Sequence, residues 1–126
     1  MQAEPISPEV LAKLTAWKVA VEAAFPAYSF SINESGECLE CRLDIGGNRR
    51  IYVEIEEQID ADGDPGWIEV QAAIWDKERC LFPTRPSGKP SYQGFDPRDP
   101  CRALRVALGS LARAAGPEIT VPGVIP

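Results

Sequence analysis

The chain contains no histidine. Mechanisms that need an imidazole are thereby excluded: His-dependent triads, histidine metal sites and histidine acid–base chemistry near neutral pH. It also lacks any apolar run approaching the roughly 18 residues of a membrane span, and residues 1–10 have neither a basic start nor an apolar signal core. A cytoplasmic location without a membrane partner is expected. Basic residues are missing from one long stretch: residues 51–76 hold eight acidic side chains and no lysine or arginine. That segment carries −8, against −2 for residues 1–50 and +4 for residues 77–126, within a formal net charge of −6. A field of that sign repels nucleic acid and anionic lipid and draws in a basic protein, although solubility alone also favours an acidic bias.

What is present suits a single domain over residues 1–126. With 126 residues, 44% hydrophobic and 25% charged, the chain can bury roughly two-thirds of its unfolded surface and needs no metal or disulfide for a core. Ser7-Pro8-Glu9 is a helix start, with a serine cap, a proline where its missing N–H costs nothing, and an acid favoured by the helix dipole. Val10, Leu14, Trp17, Val21 and Ala24 then recur at helical spacing until Pro26. A second helix is predicted from an Asp99 cap and Pro100 to a stop at Gly116, with Cys101, Leu104, Leu108, Leu111 and Ala115 as its buried stripe.

Between the helices the apolar period is two. Strands are predicted at Tyr28 to Asn33, Leu39 to Ile45, Ile51 to Glu56 and Trp67 to Trp75, separated by Glu34-Ser35-Gly36, Gly46-Gly47-Asn48 and the Asp60 to Gly66 loop. The expected fold class is α+β: a four-stranded antiparallel meander with both helices on one face. Residues 77–97, rich in proline, are predicted as a long connection, and residues 117–126 as an extended tail in which Ile119-Thr120-Val121 is an edge strand at best.

Alternation assigns the side chains of the sheet face away from the helices. It should display Ser29, Ser31 and Asn33; Glu40, Arg42 and Asp44; Tyr52, Glu54 and Glu56; and Trp67, Glu69, Gln71 and Trp75. Like charges opposed across strands cost stability, so folding alone does not favour such a face. Large rings beside charges are typical of binding hot spots. The competing expectation is that the proline-rich connection folds over Trp67 and Trp75, with Phe82, Tyr92 or Phe95 covering them.

Other motifs carry less. Asp60-Ala61-Asp62-Gly63-Asp64 opens like a calcium loop, but Pro65 stands where a pivotal glycine is needed and Gln71 where the closing glutamate belongs. Cys38 and Cys41 have zinc-like spacing, yet residues three apart on a strand point to opposite faces, and no histidine can complete a site with Cys80 and Cys101. Arg98, Arg102, Arg105 and Arg113 read as the wet side of the second helix, with no phosphate cradle beside them. Glu54, Glu56 and Glu69 on a flat face have no pocket in which one pKa could be raised for acid–base work.

The expectation is therefore a non-catalytic protein without metal, cofactor or direct nucleic-acid contact, monomeric or homodimeric. It would bind and occlude a basic, nucleic-acid-processing partner protein, as inhibitors, immunity proteins, anti-CRISPR proteins and DNA mimics do. Glu54, Glu56, Asp60, Asp62, Asp64 and Glu69 would supply charge, and Tyr52, Trp67 and Trp75 would anchor. The alternative is a dimeric secretion or assembly chaperone that holds an extended client segment.

Overall fold

A computed structural model describes residues 7–59, 65–82, 91–95 and 98–124. Helix α1 (Pro8–Ala24) starts where expected, because the Ser7 hydroxyl accepts from the Val10 amide at 3.2 Å. Helix α2 (Pro100–Ala115) is capped the same way by Asp99, which accepts from the Arg102 amide at 3.1 Å, and it ends at Gly116 with φ +77°. Between them run β1 (Ser31–Asn33), β2 (Cys38–Gly46), β3 (Arg49–Ile59), β4 (Pro65–Asp76), β5 (Arg79–Phe82) and β6 (Ser91–Phe95).

All six strands join one antiparallel sheet, in the order β1-β2-β3-β4-β5, with β6 also paired to β4. The α+β class and the helix–meander–helix order hold, but the count of four strands is corrected. The physical reason lies in β4. Its twelve residues pair with β3 on one side and leave a row of backbone N–H and C=O groups on the other, which must find partners where they are buried. The proline-rich connection supplies them: β5 pairs at Ile74, Trp75 and Asp76, and β6 at Ile68, Val70 and Gln71. These parts of the connection extend the sheet edge.

One side of the sheet carries the core. Leu39, Cys41, Ile51, Val53, Ile55, Ile68, Val70, Ala72 and Ile74 face the two helices, which contribute Leu14, Trp17 and Val21 from α1 and Ala103, Leu104, Ala107, Leu108 and Leu111 from α2. Each fully buried aliphatic chain contributes about 1.5–3 kcal/mol by leaving water. The first strand is shorter than expected, because Tyr28 and Phe30 turn into this core. The amide of Phe30 donates at 2.8 Å to Glu22 of α1 and not to a strand neighbour. Lys18 foremost, and that amide next, hold the Glu22 carboxyl below its usual pKa.

Among the described residues of the tail, 117–124, there is no edge strand. The tail packs back by burying Val121, and the Tyr28 hydroxyl donates to the Pro122 carbonyl at 2.7 Å. Gly123, at φ +85°, allows this close approach: a Cβ there would stand 2.9 Å from the Phe25 ring.

Candidate functional site

The register fixes which side chains share the face opposite the helices. Asp44 of β2 lies across from Arg50 of β3, which lies across from Trp75 of β4. The next row is Arg42, Tyr52 and Ala73, the next Glu40, Glu54 and Gln71, and the next Cys38, Glu56 and Glu69. Ser31 and Asn33 of β1 extend the last two rows, opposite Glu40 and Cys38. Among the described residues no helix packs on this face.

Glu54, Glu56 and Glu69 are thus brought together as the sequence indicated, and Glu40 joins them. Polar neighbours steady the cluster. Asn33 Nδ2 donates to Glu40 Oε1 at 2.9 Å, the Tyr52 hydroxyl to Glu54 Oε2 at 2.7 Å, and Gln71 Nε2 to Glu69 Oε1 at 3.3 Å. Glu40, Glu54 and Glu56 are partly exposed, whereas Glu69 is only 8% exposed and lies at the floor of the cluster. Tyr52, Trp67 and Trp75 are half-buried, and the indole N–H of Trp67 is buried without a hydrogen-bond partner among the described residues. Asp60, Asp62 and Asp64 lie outside the described residues, as do the side chains of Phe82, Tyr92 and Phe95 that were expected over the tryptophans.

Two further residues belong to the face. Arg50 and Cys38 each sit one residue before a predicted strand start, so extending the alternation by one position would have found them. Arg50 reaches over the Trp75 ring at 5.8 Å and donates to the Lys77 carbonyl at 2.8 Å, while Arg42 lies over Tyr52 at 5.6 Å. The face is therefore divided along the strands. One end is acidic, and the other pairs two guanidiniums with two aromatic rings and has, among the described residues, only Asp44 for an acid.

Cys38 and Cys41 do point to opposite sides, Cys41 into the core and Cys38 among the glutamates. The Cys38 sulfur and one carboxylate oxygen each from Glu40 and Glu54 lie within 4.8 Å of one another, a spacing that a divalent cation could bridge. Burial first, and then the charges of Glu54, Glu40 and Glu56, push the Cys38 thiol from its ordinary 9.0 up to about 12. This thiol is no nucleophile at neutral pH.

The same burial raises Tyr52, helped by its bond to Glu54, and raises Tyr28 in the core. All three groups hold their protons more tightly folded than unfolded. Between the ordinary thiol value and the raised one the native state binds more protons, so stability present at neutral pH is lost as pH rises. We expect the urea midpoint to fall from about pH 9 upward, and to fall less steeply in Cys38→Ala over about pH 9–11. A pH series of urea melts by circular dichroism checks this; identical slopes would show that Cys38 titrates as it does in the unfolded chain.

Compared with protein-family models, curated proteins and solved structures, the chain shows no match to any. No described helix is long and apolar enough to cross a membrane.

Proposed function

We propose that this chain is a non-catalytic binding protein that occludes a cationic surface of a partner protein, the surface with which that partner holds nucleic acid. Carboxylates take the place of phosphates, and no bond is made or broken. The observation that carries the reading is the cluster of Glu40, Glu54, Glu56 and Glu69 in two adjacent cross-strand rows of a helix-free face, beside Tyr52 and Trp67. Directly opposed like charges weaken a sheet, by up to about 1 kcal/mol per pair. A basic partner reverses that cost on docking, and the rings beside the acids offer arginine side chains a flat contact. Two depressions at the arginine end of the face, one lined by Arg42, Asp44, Asn48, Arg49 and Arg50 and the other by Arg42, Arg50, Tyr52 and Trp75, are open, a shape suited to a surface more than to a small substrate.

An arginine-rich peptide serves as the cationic probe. Its affinity for the chain should drop steeply as salt rises from low to physiological ionic strength, because several charge pairs are screened together. Titration calorimetry at three salt concentrations measures it, and an affinity indifferent to salt would remove the electrostatic mechanism. One observation favours the second reading, a dimeric chaperone: Arg42 and Arg50 give the face a positive end of its own. The stoichiometry of the partner complex separates the two. An inhibitor binds one chain to one partner, and a chaperone keeps two chains on one client.

A further inference from the structure

We infer that the divided sheet face is self-complementary, and that in the absence of a partner it docks a second copy of this chain, face to face. The inference rests on the reading of this face as a protein-docking surface and adds the resting occupant. Along β3 the face runs Arg50, Tyr52, Glu54, Glu56, and along β2 the same levels carry Asp44, Arg42, Glu40 and Cys38. A two-fold axis lying in the interface at right angles to the strands, between the Tyr52 and Glu54 rows, reverses this order in the second copy.

Arg50 then faces Glu56 of the second copy, and Arg42 faces its Glu40. By symmetry each pairing occurs twice, as a closed isologous interface requires. Sheets stack about 10 Å apart, a gap that an arginine and a glutamate reaching toward each other can span. The row in which two acids oppose each other within one chain, Glu40 against Glu54, receives guanidiniums from the other. Tyr52 and the half-buried Trp75 supply ring surface beside the charge pairs. An axis parallel to the strands would instead set arginine level with arginine, so the charge pattern selects the first arrangement. Because charge pairs hold it, such a dimer yields its face to a more strongly basic partner.

Light scattering coupled to size-exclusion chromatography tests this by charge exchange. The wild-type chain should run at twice its 13.8 kDa mass at low salt and move toward the monomer as salt rises. Arg50→Glu and Glu56→Arg should each weaken self-association by about 100-fold or more, since each places two like-charge contacts in the interface. An equimolar mixture of the two variants should dimerise again, and so should the chain carrying both changes, which also shows that the altered side chains leave the fold intact. A wild-type chain that stays monomeric overturns the inference, as does a dimer that neither reversal weakens or a doubly changed chain that remains monomeric. If the wild type is monomeric and still binds the arginine-rich peptide, the dimer falls and the docking reading stands; if it dimerises and binds no cationic probe, the reverse holds.

Discussion

Replacing Glu54 and Glu56 together by lysine should abolish binding of a cationic partner while the chain continues to melt cooperatively. The pair sits at the centre of the face on β3, two positions apart and on the same side. The change moves the local charge by four units at the point where the proposed contact is densest. Like charges brought together across an interface cost several kcal/mol, so a loss of at least about 100-fold in affinity is expected. The fold should survive, because both residues are partly exposed and their neighbours in the core, Val53 and Ile55, are untouched. Local contacts are given up with the two glutamates, among them the bond from the Tyr52 hydroxyl to Glu54. Glu69 is a poorer site for the same test, since a lysine at an 8% exposed position threatens folding itself. The control is Glu34→Lys with Glu118→Lys, both exposed and off this face, which alters net charge equally. Calorimetric titration with the arginine-rich peptide decides the matter. An equal loss in the control would mean that net charge matters and the sheet face does not, and retention by the Glu54/Glu56 variant would move the binding site elsewhere.

How much of this site could be read beforehand follows from which interactions are local. The caps were legible because Ser7-Pro8 and Asp99-Pro100 act within one turn of their own helices. The two faces of β2, β3 and β4 were legible because pleating ties side-chain direction to parity, so Glu40, Glu54, Glu56 and Glu69 could be grouped without knowing the register. Strand limits were not, since they are set by partners distant in the chain. Arg50 is in β3 because Asp44 and Trp75 flank it, and missing it concealed the positive end of the face. β5 and β6 come from a stretch whose composition argues for a loop, and only the unpaired edge of β4 makes strands of them. The packing of the tail was not legible for the same reason. Its place depends on a hydrogen bond from Tyr28 to Pro122, 94 positions apart, and no periodicity signals that.

Leu108→Ala tests the other half of the architecture, the support beneath the face. Leu108 is fully buried in the middle of α2, among the apolar side chains of the sheet's inner side, and α2 packs chiefly over β4, the strand that holds Trp67, Glu69 and Trp75. Removing three carbons there leaves a cavity that a sheet held in register on both sides cannot close. The expected loss is about 2–5 kcal/mol, large against the roughly 5–15 kcal/mol that holds a domain of this size. By contrast, Val19→Ala on the outer side of α1, where the side chain is largely exposed, should change stability by about 0.5 kcal/mol or less. Urea melts of both variants give the comparison directly. If Leu108→Ala is as mild as Val19→Ala, α2 does not cover the sheet as described, and the division into a helix-backed side and a docking side fails with it. If the loss is large but peptide binding per folded molecule is unchanged, the helices hold the face in place and take no part in recognition, as a docking surface built wholly from strands requires.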